Sequence, residues 1–331
     1  MNYIESQSIL EEIKKANKIL LNCHRGPDPD SVGSALALRL VLGEMGKTVD
    51  VICPSKPISK QIDYLSGFNE IKLGVDFNTF DFSKYDLFLT VDTPNLSLMT
   101  GKETTKVPDI RTVVIDHHHI SQLKGDIKLL DENATSLGEM LYHIFDDWGV
   151  EINKEIADCL LASIIGDTGA FAYPNVTSET LMVASKLMAL GADKNMAADR
   201  IYRREDFEML KFWSKVLDKM KIDKNHRFVY SFIDHNEYKE FGNLDDAKAK
   251  AAALFAPIVD DTDFGFIGVE EKEGHMTISF RGRTDFDTSI IAKELGGGGH
   301  KAASAAKIEG LTFDESTKKV LEVARKYARK N

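Results

Sequence analysis

The sequence predicts an α/β protein of two domains, and three observations carry that prediction. In the first half of the chain, continuous apolar runs alternate with helical patterns, which is typical of a mostly parallel sheet with helices on both faces. Beyond residue 221 the pattern changes to that of a smaller α+β domain. The length of 331 residues also fits two domains, because a single hydrophobic core rarely grows beyond about 250–300 residues.

Four buried strands are predicted in the first half, and a polar side chain follows three of them directly. His24, Asp92 and Asp116 are these side chains. The carboxyl ends of parallel strands meet at one edge of a sheet, where catalytic groups of such folds gather. A helix is predicted at residues 34–45. The predicted strands cover residues 19–23, 49–53, 87–91 and 112–115.

The second half divides into a helical part and a separate small domain. Helical patterns dominate residues 136–191, and residues 199–221 have the pattern of one long connecting helix. The small domain contains predicted strands. These cover residues 227–233, 264–270 and 275–281.

The composition indicates a cytoplasmic protein that does not bind duplex DNA. Cys23, Cys53 and Cys159 lie apart in apolar segments, so we interpret them as reduced core residues. No apolar run reaches the roughly 18–20 residues needed to cross a bilayer. The net charge of −10 disfavours a long electropositive surface for duplex nucleic acid. A short anionic substrate is compatible with this charge, because bound metal ions reverse the local field.

The segment after the first strand contains three potential metal ligands. His24, Asp28 and Asp30 follow one another closely, with two prolines that stiffen the chain between them. Imidazole and carboxylate groups suit manganese, iron, zinc or magnesium. An ordinary turn rich in aspartate and proline is the alternative interpretation.

The run 116–119 is the most unusual feature of the sequence. Asp116 is followed by His117, His118 and His119 at the end of a predicted strand. Consecutive histidines are costly in a core without partners. The run therefore favours a metal or substrate site over a surface turn.

Two further aspartates complete a set of ligands. Asp92 follows a strand, and Asp167 lies between Gly166 and Gly169, where small residues let a ligand approach the backbone. Each of these aspartates alone could be a cap or a turn residue. Two divalent ions about 3.5–4 Å apart need several oxygen or imidazole ligands and one shared carboxylate. The candidate ligands are His24, Asp28, Asp30, Asp92, His117 and Asp167.

The second domain contains a separate set of candidate binding residues. Arg281 and Arg283 are two positions apart, so strand alternation predicts both guanidinium groups on one face, where they can grip a phosphate. The glycines at 296–299 precede His300, and their N–H groups can face a phosphate without interference from side chains. A flexible glycine linker is the alternative. The candidates are Arg281, Arg283, Gly297, Gly298, Gly299 and His300.

The order of these motifs resembles the DHH family of phosphoesterases. The first-domain ligands and the run Asp116-His117-His118 match its N-terminal motifs, and residues 281–305 are similar to its C-terminal DHH-associated domain. The resemblance covers nearly the whole chain. It implies a catalytic domain at residues 1–190, a helical linker at 191–221 and a substrate-binding domain at 222–331, with the active site in the cleft between the two domains.

The resemblance implies two divalent metal ions as cofactors, and manganese is the metal that the family usually uses. One ligand is expected to bridge the two ions. The implied ligands are His24 and Asp28 for the first ion, Asp30, His117 and Asp167 for the second, and Asp92 for both.

The remaining residues of the histidine run are given other roles by the resemblance. His118 is expected to contact the scissile phosphate or to assist the leaving group, and Asp116 to orient a histidine ring. His119 lies outside the family motif, and its role stays open. The sequence also leaves open whether three arginines of the connecting helix line the cleft or are solvated. They are Arg200, Arg203 and Arg204.

The compact two-domain form is similar to the branch of the family that hydrolyses short single-stranded RNA and 3′-phosphoadenosine 5′-phosphate (pAp). We therefore expect metal-assisted hydrolysis of these esters to mononucleotides or AMP, and relatives suggest a homodimer. A phosphodiesterase for linear or cyclic dinucleotides is the close alternative. A RecJ-type exonuclease, a family II pyrophosphatase and a non-catalytic nucleotide sensor are less favoured. RecJ-type chains are longer, the pyrophosphatases lack the glycine run, and a degenerate sensor should have lost metal ligands.

Overall fold

The computed structural model describes residues 3–56, 58–102, 108–119, 121–242, 244 and 247–329. The chain divides into two compact units, Met1–Arg204 and Glu205–Asn331. Among the described residues, no helix has the length and apolar character that a membrane span requires.

The first unit alternates helices with strands, as the sequence predicts. Its helices are α1 (Ile4–Lys15), α2 (Pro29–Glu44), α3 (Leu96–Thr100), α4 (Leu137–Asp147), α5 (Lys154–Asp167), α6 (Ser178–Ala189) and α7 (Lys194–Tyr202). Its strands are β1 (Lys18–Asn22), β2 (Thr48–Cys53), β3 (Lys72–Leu73), β4 (Leu87–Val91), β5 (Thr112–Asp116) and β6 (Ile127–Leu130).

These strands form one parallel sheet in the order β3-β2-β1-β4-β5-β6. The register pairs Asn22 with Thr90 and Val91 with Ile115, so the ends of β1, β4 and β5 lie side by side. The predicted parallel sheet is confirmed. The short strand β3 and the half-exposed strand β6 lack long apolar runs and were not predicted.

Apolar side chains cover both faces of this sheet. On one face, α2, α4 and α5 contribute the fully buried Leu36, Ile144 and Leu160 to the main core. On the other face, Met99 of α3 packs in a smaller cluster with Phe88 of β4. Helices therefore lie on both faces, as predicted.

Helix α2 begins at Pro29, five residues before the predicted start. The Asp28 carboxylate accepts a hydrogen bond from the Ser31 N–H at 2.9 Å, which caps the helix. Proline is favoured at the first helical position because its missing N–H needs no partner there. The predicted start of the helix was therefore wrong, and Asp30 lies in its first turn.

The predicted single helix over residues 199–221 is also wrong. Helix α7 ends at Tyr202, and the next helix begins at Phe207. Asp206 has an extended backbone with φ −66° and ψ 144°, which interrupts helical geometry. The Glu205 carboxylate accepts hydrogen bonds from Lys250 at 2.8 and 2.9 Å, a long-range contact that local helical periodicity cannot predict.

The second unit is a smaller α+β domain built on a mixed sheet in the order β11-β12-β10-β9-β8-β7. Strands β8 and β9 are parallel, and the other neighbours are antiparallel. The strands are β7 (Lys221–Asp223), β8 (Phe228–Ile233), β9 (Phe264–Lys272), β10 (His275–Gly282), β11 (Gly298–Gly299) and β12 (Ala303–Glu309). The helices are α8 (Phe207–Asp218), α9 (His235–Tyr238), α10 (Ala247–Phe255), α11 (Ser289–Glu294) and α12 (Phe313–Tyr327).

Candidate metal centre

Three neighbouring strands of the first unit end at one edge of the sheet, and each leads to a candidate ligand segment. His24 lies two residues beyond β1, Asp92 follows β4 directly, and Asp116 is the last residue of β5. Two helices bring further carboxylates: Asp30 from the first turn of α2 and Asp167 from the end of α5. The side chains come together in three overlapping groups whose ligand atoms lie within 4.8 Å of one another.

The first group consists of His24, Asp28 and Asp92. His24 Nε2 lies 3.4 Å from Asp92 Oδ2 and 3.7 Å from Asp28 Oδ2. His24 and Asp92 are buried, whereas the Asp28 side chain is 49% exposed. One side of this group is therefore open to solvent and to a ligand.

The second group consists of Asp30, His117 and Asp167. His117 Nε2 lies 3.2 Å from Asp30 Oδ2 and 3.2 Å from Asp167 Oδ2. The same nitrogen lies 3.4 Å from Asp92 Oδ1. Asp92 thus presents one oxygen to each group.

Asp92 reaches this position through a rare backbone conformation. Its φ is +50°, in the left-handed region that most side chains avoid. Aspartate tolerates this region better than bulky residues do. The Asp92 N–H donates to Ile115 O at 3.1 Å, which fixes the residue at the end of β4. A left-handed residue at this point is a local strain of the kind found at functional sites.

The charges of these groups indicate that a cation belongs between them. Burial and the negative charge of Asp30 raise the pKa of both Asp92 and Asp167. Burial opposes the charge on His24, but the neighbouring Asp28 and Asp92 carboxylates outweigh it and raise the pKa of His24 to about 11. Asp92 Oδ2 is buried and accepts no hydrogen bond from any described residue. Buried carboxylates need a paired charge or a metal ion, and this donor set of carboxylate and imidazole fits divalent cations.

Asp30 is held by groups that the sequence did not indicate. Its Oδ2 accepts the Leu137 N–H at 2.9 Å, and its Oδ1 accepts hydroxyl groups from Ser34 at 3.2 Å and from Ser163. Burial opposes ionisation, but His117, the Leu137 N–H and Ser163 lower the pKa of Asp30 to about 2. These contacts join α2, α4 and α5, and serine has no distinguishing pattern in a helical sequence.

The third group consists of His118 with Asp92 and His117, and His118 is also bound to Asp116. Its Nδ1 lies 2.7 Å from Asp116 Oδ1 and 3.7 Å from Asp92 Oδ1. Burial disfavours ionisation of Asp116, but the hydrogen bond to His118 keeps its pKa below the ordinary value, so Asp116 accepts and His118 Nδ1 donates. His118 Nδ1 therefore bonds to Asp116 and not to Asp92. The opposite ring nitrogen, Nε2, remains available to a ligand.

The two candidate arginines of the second unit have separate partners. Arg281 lies on β10 and its Nη1 donates to Phe280 O at 2.9 Å. Arg283 lies one residue beyond β10, and its Nη2 donates to Asp260 Oδ1 at 2.9 Å. Because Arg283 lies one residue beyond the end of β10, strand alternation alone does not fix its direction, and a shared face with Arg281 stays a prediction.

The glycine run ends in the short strand β11, Gly298–Gly299, and does not behave as a free linker. A Cβ at Gly297 would lie 2.1 Å from Ala305 O, and one at Gly299 would lie 2.5 Å from the Cα of Ser304. Both glycines are therefore required by the close approach to β12. The Gly297 N–H donates to Ala292 O at 2.7 Å, so it is already bonded, whereas His300 is exposed.

Comparison with known families agrees with this arrangement. Residues 18–164 match the model of the DHH family, N-terminal domain, and residues 225–330 match the DHHA1 domain. An uncharacterized protein of Mycoplasma genitalium is 31% identical over 233 residues, which cover 70% of this chain and 69% of the relative. The chain belongs to the DHH family.

Two further relatives match the chain over nearly its whole length. A Streptococcus mutans protein named probable bifunctional oligoribonuclease and PAP phosphatase NrnA is 28% identical over 316 residues, covering 93% of this chain and 95% of the relative. The crystal structure of an exopolyphosphatase-related protein from Bacteroides fragilis has a TM-score of 0.88 at 23% identity and covers 98% of this chain and 96% of that one. This last likeness supports the fold alone.

Other candidate residues of the first unit lie outside the three groups. His119 is bound through Nδ1 to the Glu132 carboxylate, and its side chain is 81% exposed. Arg200 lies 3.0 Å from Asp63, so it is paired and not free for a ligand. Arg204 contacts its helix neighbour Asp199, and Arg203 is exposed.

Proposed function

We propose that this DHH-family chain is a two-metal phosphoesterase that hydrolyses short oligoribonucleotides and pAp. The position of Asp92 carries the proposal. Its two oxygens each lie 3.4 Å from the Nε2 of a different histidine, His24 and His117. A carboxylate shared by two ligand groups is the arrangement that a pair of divalent ions requires.

The proposed first ion is held by His24, Asp28 and Asp92. The proposed second ion is held by Asp30, His117, Asp167 and again Asp92. Two bound divalent ions neutralise the charge that develops on phosphoryl oxygens and lower the pKa of an attacking water molecule. The ligand types suit manganese, which we propose as the metal.

His118 is proposed to protonate the leaving oxygen. Burial disfavours the imidazolium, but the hydrogen bond to Asp116 raises the pKa of His118 and so favours its protonated form. Because Nδ1 donates to Asp116 at 2.7 Å, the opposite nitrogen can give its proton to a leaving group. Such general acid catalysis typically contributes about 10²–10⁴-fold to the rate.

The substrate assignment is supported by the relative from Streptococcus mutans, whose name states both activities and which aligns with 93% of this chain. In this proposal, short RNA yields mononucleotides and pAp yields AMP. Arg281, Arg283 and His300 of the DHHA1 domain are proposed contacts for the rest of the nucleotide.

A comparison of substrates tests the proposal. Purified protein loaded with Mn²⁺ should give a higher kcat/KM for pAp and for RNA of two to five nucleotides than for cyclic di-AMP. A clear preference for the cyclic dinucleotide would overturn the substrate assignment in favour of the cyclic dinucleotide alternative.

The variant Asp92→Asn tests the two-metal chemistry in the same assay. Asparagine tolerates the left-handed backbone of this position but cannot supply a shared negative charge. Turnover should fall by at least about 100-fold, whereas the control His119→Ala should stay within twofold of wild type. Near-normal turnover of Asp92→Asn would contradict the proposal.

A further inference from the structure

A short turn after Asp167 is held in an unusual backbone conformation. Gly169, Ala170 and Phe171 have φ values of +58°, +54° and +70°. The left-handed region is costly for alanine and phenylalanine, because Cβ crowds the following carbonyl oxygen. The Phe171 N–H donates to Thr168 Oγ1 at 3.1 Å, which holds the turn. The fold therefore maintains a strained turn beside a proposed metal ligand.

The turn places the ring of Tyr173 against the backbone of Gly169. A Cβ at Gly169 would lie 2.5 Å from Cε1 of that ring. The Tyr173 N–H donates to Thr168 O at 3.0 Å, which fixes the residue. Tyr173 is nevertheless 53% exposed. The Tyr173 ring is thus anchored against Gly169, which lies two residues after Asp167, and it remains accessible to a ligand.

Tyr202 of α7 contacts the other end of the same segment. Its hydroxyl donates to Ile165 O at 3.0 Å and to Gly166 O at 2.8 Å. Tyr202 is 44% exposed. Burial raises the pKa of Tyr202, with smaller contributions from Tyr173 and Asp167. Both tyrosines therefore flank the segment that carries Asp167.

The uncharged aromatic side chains of Tyr173 and Tyr202 indicate which part of a ligand they can bind. Neither tyrosine carries a positive charge, so they are poorly suited to bind a phosphate beside several carboxylates. A flat, partly exposed ring with a fixed position is suited to stack on another flat ring. Stacking on aromatic side chains is how many proteins bind single-stranded nucleic acid without regard to base identity.

We propose that Tyr173 and Tyr202 form a stacking surface for the nucleobase of the nucleotide whose phosphate is bound at the metal centre. This inference rests on the proposed function, because it needs a nucleotide at that centre. It accounts for one site accepting both RNA of varied sequence and pAp, since every base offers a π-face. The strained turn from Gly169 to Phe171 would serve to hold Tyr173 in place.

Calorimetric titration of the Mn²⁺-loaded protein with AMP and with ribose 5-phosphate tests the stacking surface. The two ligands share the same phosphate and sugar and differ in the base. Tyr173→Ala should weaken AMP binding by about tenfold and leave the Kd of ribose 5-phosphate within twofold. Tyr173→Phe keeps the ring and should bind AMP as the wild type does.

Two further variants separate stacking from general destabilisation. Tyr202→Ala should weaken AMP binding, whereas Phe207→Ala removes an aromatic residue of the second unit that is 69% exposed and should not. Equal Kd values for AMP in Tyr173→Ala and wild type would overturn the inference. So would an equal loss for both ligands, because that pattern means a damaged phosphate site.

The titration and the turnover assay distinguish failure of the stacking surface from failure of the proposed function. Absence of Mn²⁺-dependent hydrolysis in the wild type would refute the proposed function. A base-dependent difference between AMP and ribose 5-phosphate in the same protein would still support the stacking surface. Normal hydrolysis with no base dependence of binding would refute the stacking surface alone.

Discussion

The hydroxyl of Ser163 donates a hydrogen bond to Oδ1 of Asp30, although the two residues are 133 positions apart. The same oxygen accepts the Ser34 hydroxyl at 3.2 Å. With Oδ1 held in this way, Oδ2 is directed at His117 Nε2, 3.2 Å away. A residue on α5 therefore sets the orientation of a proposed metal ligand on α2.

Ser163→Ala should weaken manganese binding without unfolding the protein. The substitution removes one hydrogen bond to a charged acceptor, and loss of such a ligand-orienting contact typically lowers metal affinity by about 10–100-fold. Titration of Mn²⁺ into the metal-free variant measures this loss. Cys159→Ala is the matched control, because it removes a buried atom one turn earlier on α5. Unchanged affinity in Ser163→Ala, or an equal loss in Cys159→Ala, would show that Ser163 does not position Asp30.

Gly138→Ala should destabilise the protein by about 1–3 kcal/mol through overpacking. The new Cβ would lie 2.7 Å from Cβ of Ser163 and 2.8 Å from Leu160 O, so α4 and α5 must separate. Gly43→Ala is the contrasting variant, since nothing lies within 4 Å of its Cβ and φ is not positive. Gly43 is on α2, and its replacement should stabilise by about 0.5–1 kcal/mol. Denaturant unfolding of both variants measures the difference, and equal stabilities would contradict the packing argument.

Much of this arrangement was predictable because parallel strands impose a simple geometry. Apolar runs predicted β1, β2, β4 and β5, and the polar residues after them had to meet at one edge. What the sequence could not give was contact across long separations. Local hydrophobic periodicity predicts neither the hydrogen bond from Ser163 to Asp30 nor the left-handed φ of Asp92.

Asp116→Asn should lower kcat by about 100-fold with little change in KM. Asparagine leaves the ring of His118 in place but removes the negative charge that raises the pKa of His118. The acid form of His118 is the proposed proton donor, and it is lost as pH rises through its pKa. A lower pKa therefore moves the alkaline limb of the kcat profile to lower pH. An alkaline limb at the same pH in the variant would exclude His118 as the proton donor.

Manganese binding should release protons and become tighter as pH rises. The raised pKa of His24, about 11 in the metal-free protein, means that its imidazole is protonated at neutral pH. A metal ligand must be deprotonated, so binding displaces this proton at any pH below that value. Titrations in Pipes, Hepes and Tris, which differ in ionisation enthalpy, measure the number of protons released. A heat of binding that is the same in all three buffers would contradict the assignment of His24 as a ligand.

The second unit shows where the prediction from sequence was weakest. The strand carrying Arg281 was predicted to end at residue 281 and ends at Gly282, so Arg283 lies just outside it and a face shared by the two arginines stays a prediction. The glycine run was interpreted as a binding loop because glycine permits access to the backbone. Gly297 and Gly299 are also required by packing against β12, and their role in binding stays a prediction. One residue type serves both purposes, so its sequence pattern cannot separate them.

Electron paramagnetic resonance of the protein titrated with Mn²⁺ tests the two-metal centre most directly. Two manganese ions bridged by Asp92 about 3.5–4 Å apart are magnetically coupled, so the spectrum should change from that of isolated ions to a coupled pair as the second equivalent binds. Asp92→Asn should bind manganese without this coupling. Saturation at one equivalent, or two equivalents with only isolated-ion spectra in the wild type, would contradict a two-metal centre.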